Sequence, residues 1–185
     1  MGCSPTQSVC ARCREEIQGT RGGLLAIDGA NAAWAATAYE GAGRRLVGQL
    51  KFAGRLALAR AAAEAIARMA PPPAPGAAVV PVPADPLRSR LRGFDPASLI
   101  AAELATLLRL QPSDCLARSH SRRQVGRSRA ERMAAGPTVR LVSEPPVHAV
   151  LVDDVTTTGT TLARCAAVLR EGGCAEILAV AFARA

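Results

Sequence analysis

The segment from His148 to Leu169 constrains the fold more than any other part of the chain. His148 to Val152 is a short apolar run, long enough for a strand buried on both faces. It ends on two adjacent carboxylates, Asp153 and Asp154. Val155 follows, and then five threonines around one glycine: Thr156, Thr157, Thr158, Gly159, Thr160 and Thr161. Periodic apolar positions from Leu162 through Leu169 then predict a helix. Strand, polar turn and helix in this order predict an α/β fold with a parallel sheet. The handover from strand to helix is where open sheets of this kind bind ligands.

The residue types at that junction specify a chemistry. A turn rich in Thr and Gly offers backbone N–H groups and hydroxyls that converge on an anion, and the helix adds its unpaired N–H groups and positive dipole end. Gly159 lets the backbone come close to a phosphate, or take φ > 0. The carboxylates cannot bind that phosphate; they suit hydroxyl donors, or Mg²⁺. A ligand with a phosphate beside a diol, such as a ribose 5-phosphate, satisfies both halves. Simple helix capping needs one or two such residues and not a run of them. No G-x-x-x-x-G-K-S/T stretch occurs, so a Walker-type site is set aside.

A second anion site is expected upstream. Ala77 to Val82 is another buried-strand candidate, running into Pro81-Val82-Pro83-Ala84-Asp85-Pro86 and then Arg88, Arg90, Arg92 and Gly93. Proline stiffens such a loop, and guanidinium forks match phosphate oxygens. Arg118 to Arg129 is basic and without period, and reads as a mobile loop able to order over a charged ligand. His120 lies in that loop; His148 leads into a strand and reads as structural.

The remaining elements follow from period and breakers. Leu24 to Tyr39 predicts a hairpin around Asp28-Gly29-Ala30-Asn31. Helices are predicted from Gly43 to Phe52, from Arg55 to Met69 and from Pro96 to Leu110. Pro71 to Gly76 reads as a rigid connector that separates the helical part from the ligand-binding part. Cys115 to Ala117 is a candidate edge strand, and Val139 to Val142 and Ile177 to Phe182 supply further strands. Cys10-Ala11-Arg12-Cys13 has the form of one zinc-ribbon knuckle, with Cys3 as a third sulfur, so Zn²⁺ is a candidate there. Cys165 and Cys174 read as core or surface thiols.

Composition narrows the class. Of 23 cationic side chains, Lys51 is the only lysine; the net charge is +8 and the sequence pI about 10.1. Such a balance suits anionic partners, phosphorylated small molecules or nucleic acid. Aromatic residues make up only 3%, which argues against a base-stacking platform for single strands. No apolar run approaches the roughly 20 residues of a membrane span, and no apolar signal core opens the chain. A soluble, cytoplasmic protein with reduced thiols is the expectation.

Asp153 to Thr161 resembles the PRPP-binding motif of type I phosphoribosyltransferases: apolar residues, two acids, then Thr-Thr-Gly-x-Thr. Further pieces resemble the ComF family within that superfamily, in the family's order. These are the cysteine knuckle, Tyr39-Glu40-Gly41, Lys51-Phe52-Ala53-Gly54, Val80-Pro81-Val82-Pro83, Arg92-Gly93-Phe94, Arg118, Gln124-Val125-Gly126 and Arg132. Asp95 stands where the family tends to have Asn. The resemblance implies a type I phosphoribosyltransferase fold, with a mostly parallel sheet flanked by helices and a small hood, over residues 22–185. A short zinc-ribbon-like remnant would occupy 1–21, with Cys3, Cys10 and Cys13 as metal ligands.

It also implies an activity: transfer of a phosphoribosyl group from PRPP to an amine, with Mg²⁺ and loss of pyrophosphate. Asp153 and Asp154 would hold the ribose hydroxyls at the reacting centre. Thr157 to Thr161 would cradle the 5-phosphate, Mg²⁺ and the arginines of the 81–92 loop, Arg88 and Arg92 among them, would stabilise the pyrophosphate, and Val155, Thr156, Val82 and Pro83 would also bind substrate. Arg118 and Gln124 would lie on the closing loop. The alternative it implies is a non-catalytic nucleotide sensor or DNA-handling protein in competence and DNA uptake, with single-stranded DNA or a competence helicase as partner.

Overall fold

The computed structural model describes residues 9–19, 22–119 and 138–185. It shows an α/β architecture built on a mostly parallel sheet flanked by helices. The chain runs α1 (Ala11–Gly19), β1 (Gly23–Leu24), β2 (Ala32–Ala38), α2 (Gly41–Phe52), α3 (Leu58–Met69), β3 (Ala78–Pro81), α4 (Pro86–Arg92) and α5 (Pro96–Leu108). It continues through β4 (Gln111–Pro112), β5 (Leu116–Ser119), β6 (Thr138–Leu141), β7 (His148–Thr156), α6 (Thr160–Glu171) and β8 (Glu176–Arg184). The six-stranded sheet has the order β1-β2-β8-β7-β3-β4, and only β1 runs antiparallel to its neighbour. β5 and β6 form a separate antiparallel pair.

The central strands are buried on both faces, and their alternation divides the core. Val150 and Val152 of β7 pack with α2, α3 and α5; Ala149 and Leu151 pack with α6 and the β5–β6 pair. Alanine does much of this packing. Ala59, Ala62 and Ala63 of α3 are buried near Ala101 and Ala105 of α5. Small side chains let the two helices approach closely, which reconciles 49% hydrophobic content with only 3% aromatics. Phe182 is the largest fully buried side chain, and removing such a ring costs roughly 3–5 kcal/mol.

Two helices after β3 are started by aspartates followed by proline. Asp85 accepts from the N–H groups of Leu87 and Arg88, and Asp95 from that of Ala97. Pro86 and Pro96 then occupy first-turn positions that need no donor. The stretch expected as a proline-stiffened loop is therefore loop only as far as Asp85, and helix beyond it.

The connector does not divide the molecule. α3, before Pro71, packs on α5, β2 and β8, so the helical part and the sheet share one core. His148 Nδ1 lies 3.1 Å from the Pro75 carbonyl, tying the connector to the start of β7. Cys115–Ala117 does supply strand residues, but in the β5–β6 pair. β4, a polar dipeptide containing proline, and α1 carry no periodic signal that would announce them. No helix among the described residues is long and apolar enough to cross a membrane.

Candidate functional site

β3 and β7 are adjacent and parallel, with Pro81 opposite Val152, so their C-terminal ends lie side by side. The Val82 N–H donates to the Val152 carbonyl at 2.8 Å, which fixes the loop after β3 against the acidic pair. A cavity of about 240 Å³ opens there. Its walls include Val82, Pro83 and Arg88 from one side, Asp153, Asp154 and Thr161 from the other, and Lys51, Arg92, Asp95 and Arg118 around the rim. Eight of the residues expected to bind ligand thus meet in one place.

The two carboxylates lie close together at the cavity wall, each with its own partners. Asp154 turns toward α2, where Lys51 Nζ stands 2.6 Å from its Oδ2. Asp153 Oδ1 accepts from the Asp154 N–H at 2.8 Å. Burial, and then the Asp154 charge, push the Asp153 carboxyl up to about 8. Asp95 is also raised, by burial first, while Asp85 is held low by the N–H groups that it caps. Three of the four aspartates around the cavity are therefore engaged by a helix N-terminus or by Lys51. Arg88, Arg92 and Arg118 have no carboxylate partner within ion-pair distance among the described residues. Arg92 lies over the Phe52 ring, 5.3 Å from its centroid.

The threonine-rich turn has cavities on both sides. Thr161 faces the first; Thr158, Gly159 and Thr160 line a second, of about 330 Å³, closed by Ala26 to Asp28 of the hairpin and by Arg164 of α6. Gly159 has φ 75° and starts α6, and its carbonyl accepts from the Ala163 N–H. The Thr158 and Thr160 hydroxyls pair at 2.8 Å. Val155 and Thr156 are still strand: Thr156 is buried and its carbonyl accepts from the Ala185 N–H. Thr157 is exposed and lines neither cavity. Gln124, His120 and Cys3 lie outside the described residues.

The donor set decides what could be held. With one Asp154 oxygen taken by an ammonium, the acidic pair fits hydroxyl groups better than direct ligation of Mg²⁺. Cys10 precedes α1 and Cys13 lies in its first turn, two sulfurs where a tetrahedral zinc site takes four ligands. No cluster of three metal-binding side chains occurs among the described residues. The Cys165 thiol is buried and pushed up to about 12, and Cys174 is buried as well, so neither is a nucleophile.

Sequence reasoning missed the part played by Lys51 and Asp95 at this cavity. The signals available were that Lys51 is the sole lysine and opens the Lys51-Phe52-Ala53-Gly54 piece, and that Asp95 follows Arg92-Gly93-Phe94. No protein-family model matches this chain, and no curated protein matches it.

Proposed function

We propose that the chain is a ComF-like member of the type I phosphoribosyltransferase fold, binding PRPP or a related ribose 5-phosphate ligand at the end of β3 and β7. One observation carries this reading: an acidic pair and three arginines with no carboxylate within ion-pair distance among the described residues share the walls of one cavity beside a threonine-rich helix start. With burial raising the Asp153 carboxyl and Lys51 paired with Asp154, the arginines set the field that an incoming polyanion meets. The ribose hydroxyls would donate to the acidic pair. The pyrophosphate would lie against Arg88, Arg92 and Arg118, and the 5-phosphate against the start of α6 at Thr158 to Thr161.

In the transfer reaction an amine nitrogen forms a bond to the anomeric carbon. The bond from that carbon to pyrophosphate breaks, and pyrophosphate leaves with the electron pair. Positive charge develops on the ribose ring, and negative charge on the leaving group beside the arginines, which carry the stabilisation. Catalysis on these terms is electrostatic and needs no nucleophilic side chain. Calorimetry with PRPP tests the reading. Asp153→Ala with Asp154→Ala should abolish binding while the protein stays folded; unchanged affinity in that double variant would sink it.

A further inference from the structure

The sequence places 22 arginines against one lysine, and the lysine is the residue that reaches the acidic pair. Arginine supplies the other cations of this cavity too, Arg88, Arg92 and Arg118, so the exception is the cation on Asp154 alone. The two cations differ in how they hold a carboxylate. A guanidinium forks across both oxygens, whereas an ammonium is a compact point charge that can sit on one. Lys51 Nζ stands 2.6 Å from Asp154 Oδ2, and both side chains are largely buried, at 22% and 11% exposure. Lys51 also sits in the last turn of α2, where the helix dipole favours a cation. Asp154 also lines the cavity, so its carboxylate reaches the space that a ligand would take.

We propose that Lys51 is a specificity-determining residue: a one-oxygen counter-ion that keeps divalent metal off Asp154 and leaves its other oxygen for a ligand hydroxyl. Removing the ammonium would leave a buried carboxylate that recruits a cation. Replacing it by a guanidinium would keep the charge and close the oxygen meant for the ligand. The second half rests on the ribose reading given above; the exclusion of metal does not.

The test uses the full chain as wild type, Lys51→Met, Lys51→Arg and the double variant Lys51→Met with Asp154→Asn. Mn²⁺ alone is titrated with detection by electron paramagnetic resonance, ribose 5-phosphate without metal is titrated by calorimetry, and melting temperature is followed throughout. Lys51→Met should gain one Mn²⁺ site about tenfold tighter than any in the wild type, and the double variant should lose it. Lys51→Arg should melt like the wild type yet bind ribose 5-phosphate about tenfold more weakly. Equal Mn²⁺ affinity in Lys51→Met and wild type, or a gain that survives in the double variant, would overturn the metal exclusion. Wild-type affinity in Lys51→Arg would overturn the ligand half. If the wild type itself binds no ribose 5-phosphate, the ribose reading fails, and the Mn²⁺ titrations still decide the role of Lys51. Should Lys51→Met not fold, Lys51→Gln takes its place in the same titrations.

Discussion

Arg170 of α6 donates to the side-chain oxygen of Asn31, 139 residues earlier in the chain. The same oxygen accepts from the Ile177 N–H at 2.8 Å, and Arg170 also donates to the carbonyls of Gly29, Cys174 and Ala175. These two side chains therefore pin the hairpin turn and the start of β8 to the helix that follows the threonine-rich turn. Asn31→Ala leaves a partly buried N–H without its acceptor, which costs about 1.5 kcal/mol and about 3–6 °C in melting temperature. Asn31→Asp keeps the acceptor and should stay within about 1 kcal/mol of wild type. Thermal denaturation of the pair checks this; equal losses in both would contradict it.

Gly159 is a second point of strict geometry. Its φ of 75° lies in the left-handed region, and a Cβ there would run into Ile27 Cδ1. Gly159→Ala should lose about 2 kcal/mol or more in chemical denaturation and should weaken ribose 5-phosphate binding. Adding Ile27→Ala removes the clash and leaves the backbone strain, so it should restore only part of the loss.

The raised carboxyl of Asp153 makes stability depend on pH in a definite direction. The folded state keeps its proton up to about pH 8, while the unfolded chain releases it near pH ~4. Stability from this group is complete below the unfolded value and is lost as pH rises through the folded one. Melting temperatures of the wild type should therefore fall between pH 5 and pH 8.5, by this contribution. Asp153→Asn should flatten that slope and melt higher than wild type at pH 8.5. A variant with the wild-type slope would rule out Asp153 as the source.

Phe52 is 78% exposed, and Arg92 lies over its ring. An exposed contact of this kind contributes roughly 0.5–1 kcal/mol, and its main effect is to orient the guanidinium toward the cavity. Phe52→Ala should change the melting temperature little and weaken pyrophosphate binding severalfold in a calorimetric titration. Full retention of affinity would show that Arg92 is not oriented by the ring.

The strand, acidic pair and helix of β7 and α6 were legible because apolar run, charge and helical period change at consecutive residues from Val152 to Leu162. The helices α2, α3 and α5 and the strands β3 and β8 were legible on the same grounds. What stayed hidden depends on contacts distant in sequence. Nothing local in Ala32 to Ala38 says that β2 runs parallel to β8, and nothing local in Lys51 says that it meets Asp154, 103 residues on. α4 was hidden for another reason: it is flanked by prolines, buries no residue, and is therefore without an apolar stripe. The division of the threonine-rich turn between two cavities follows from the docking of Ile27, which no pattern around Gly159 announces.

The sheet ends at each side in a two-residue strand, β1 at one edge and β4, with its proline, at the other. So short a rim leaves little unpaired backbone for a stray chain to extend, and Pro112 has no N–H to offer it. The long, apolar and aggregation-prone strands β7 and β8 are thereby shielded in the interior of the layer, a protection written into the order of the strands and not into their surface charge.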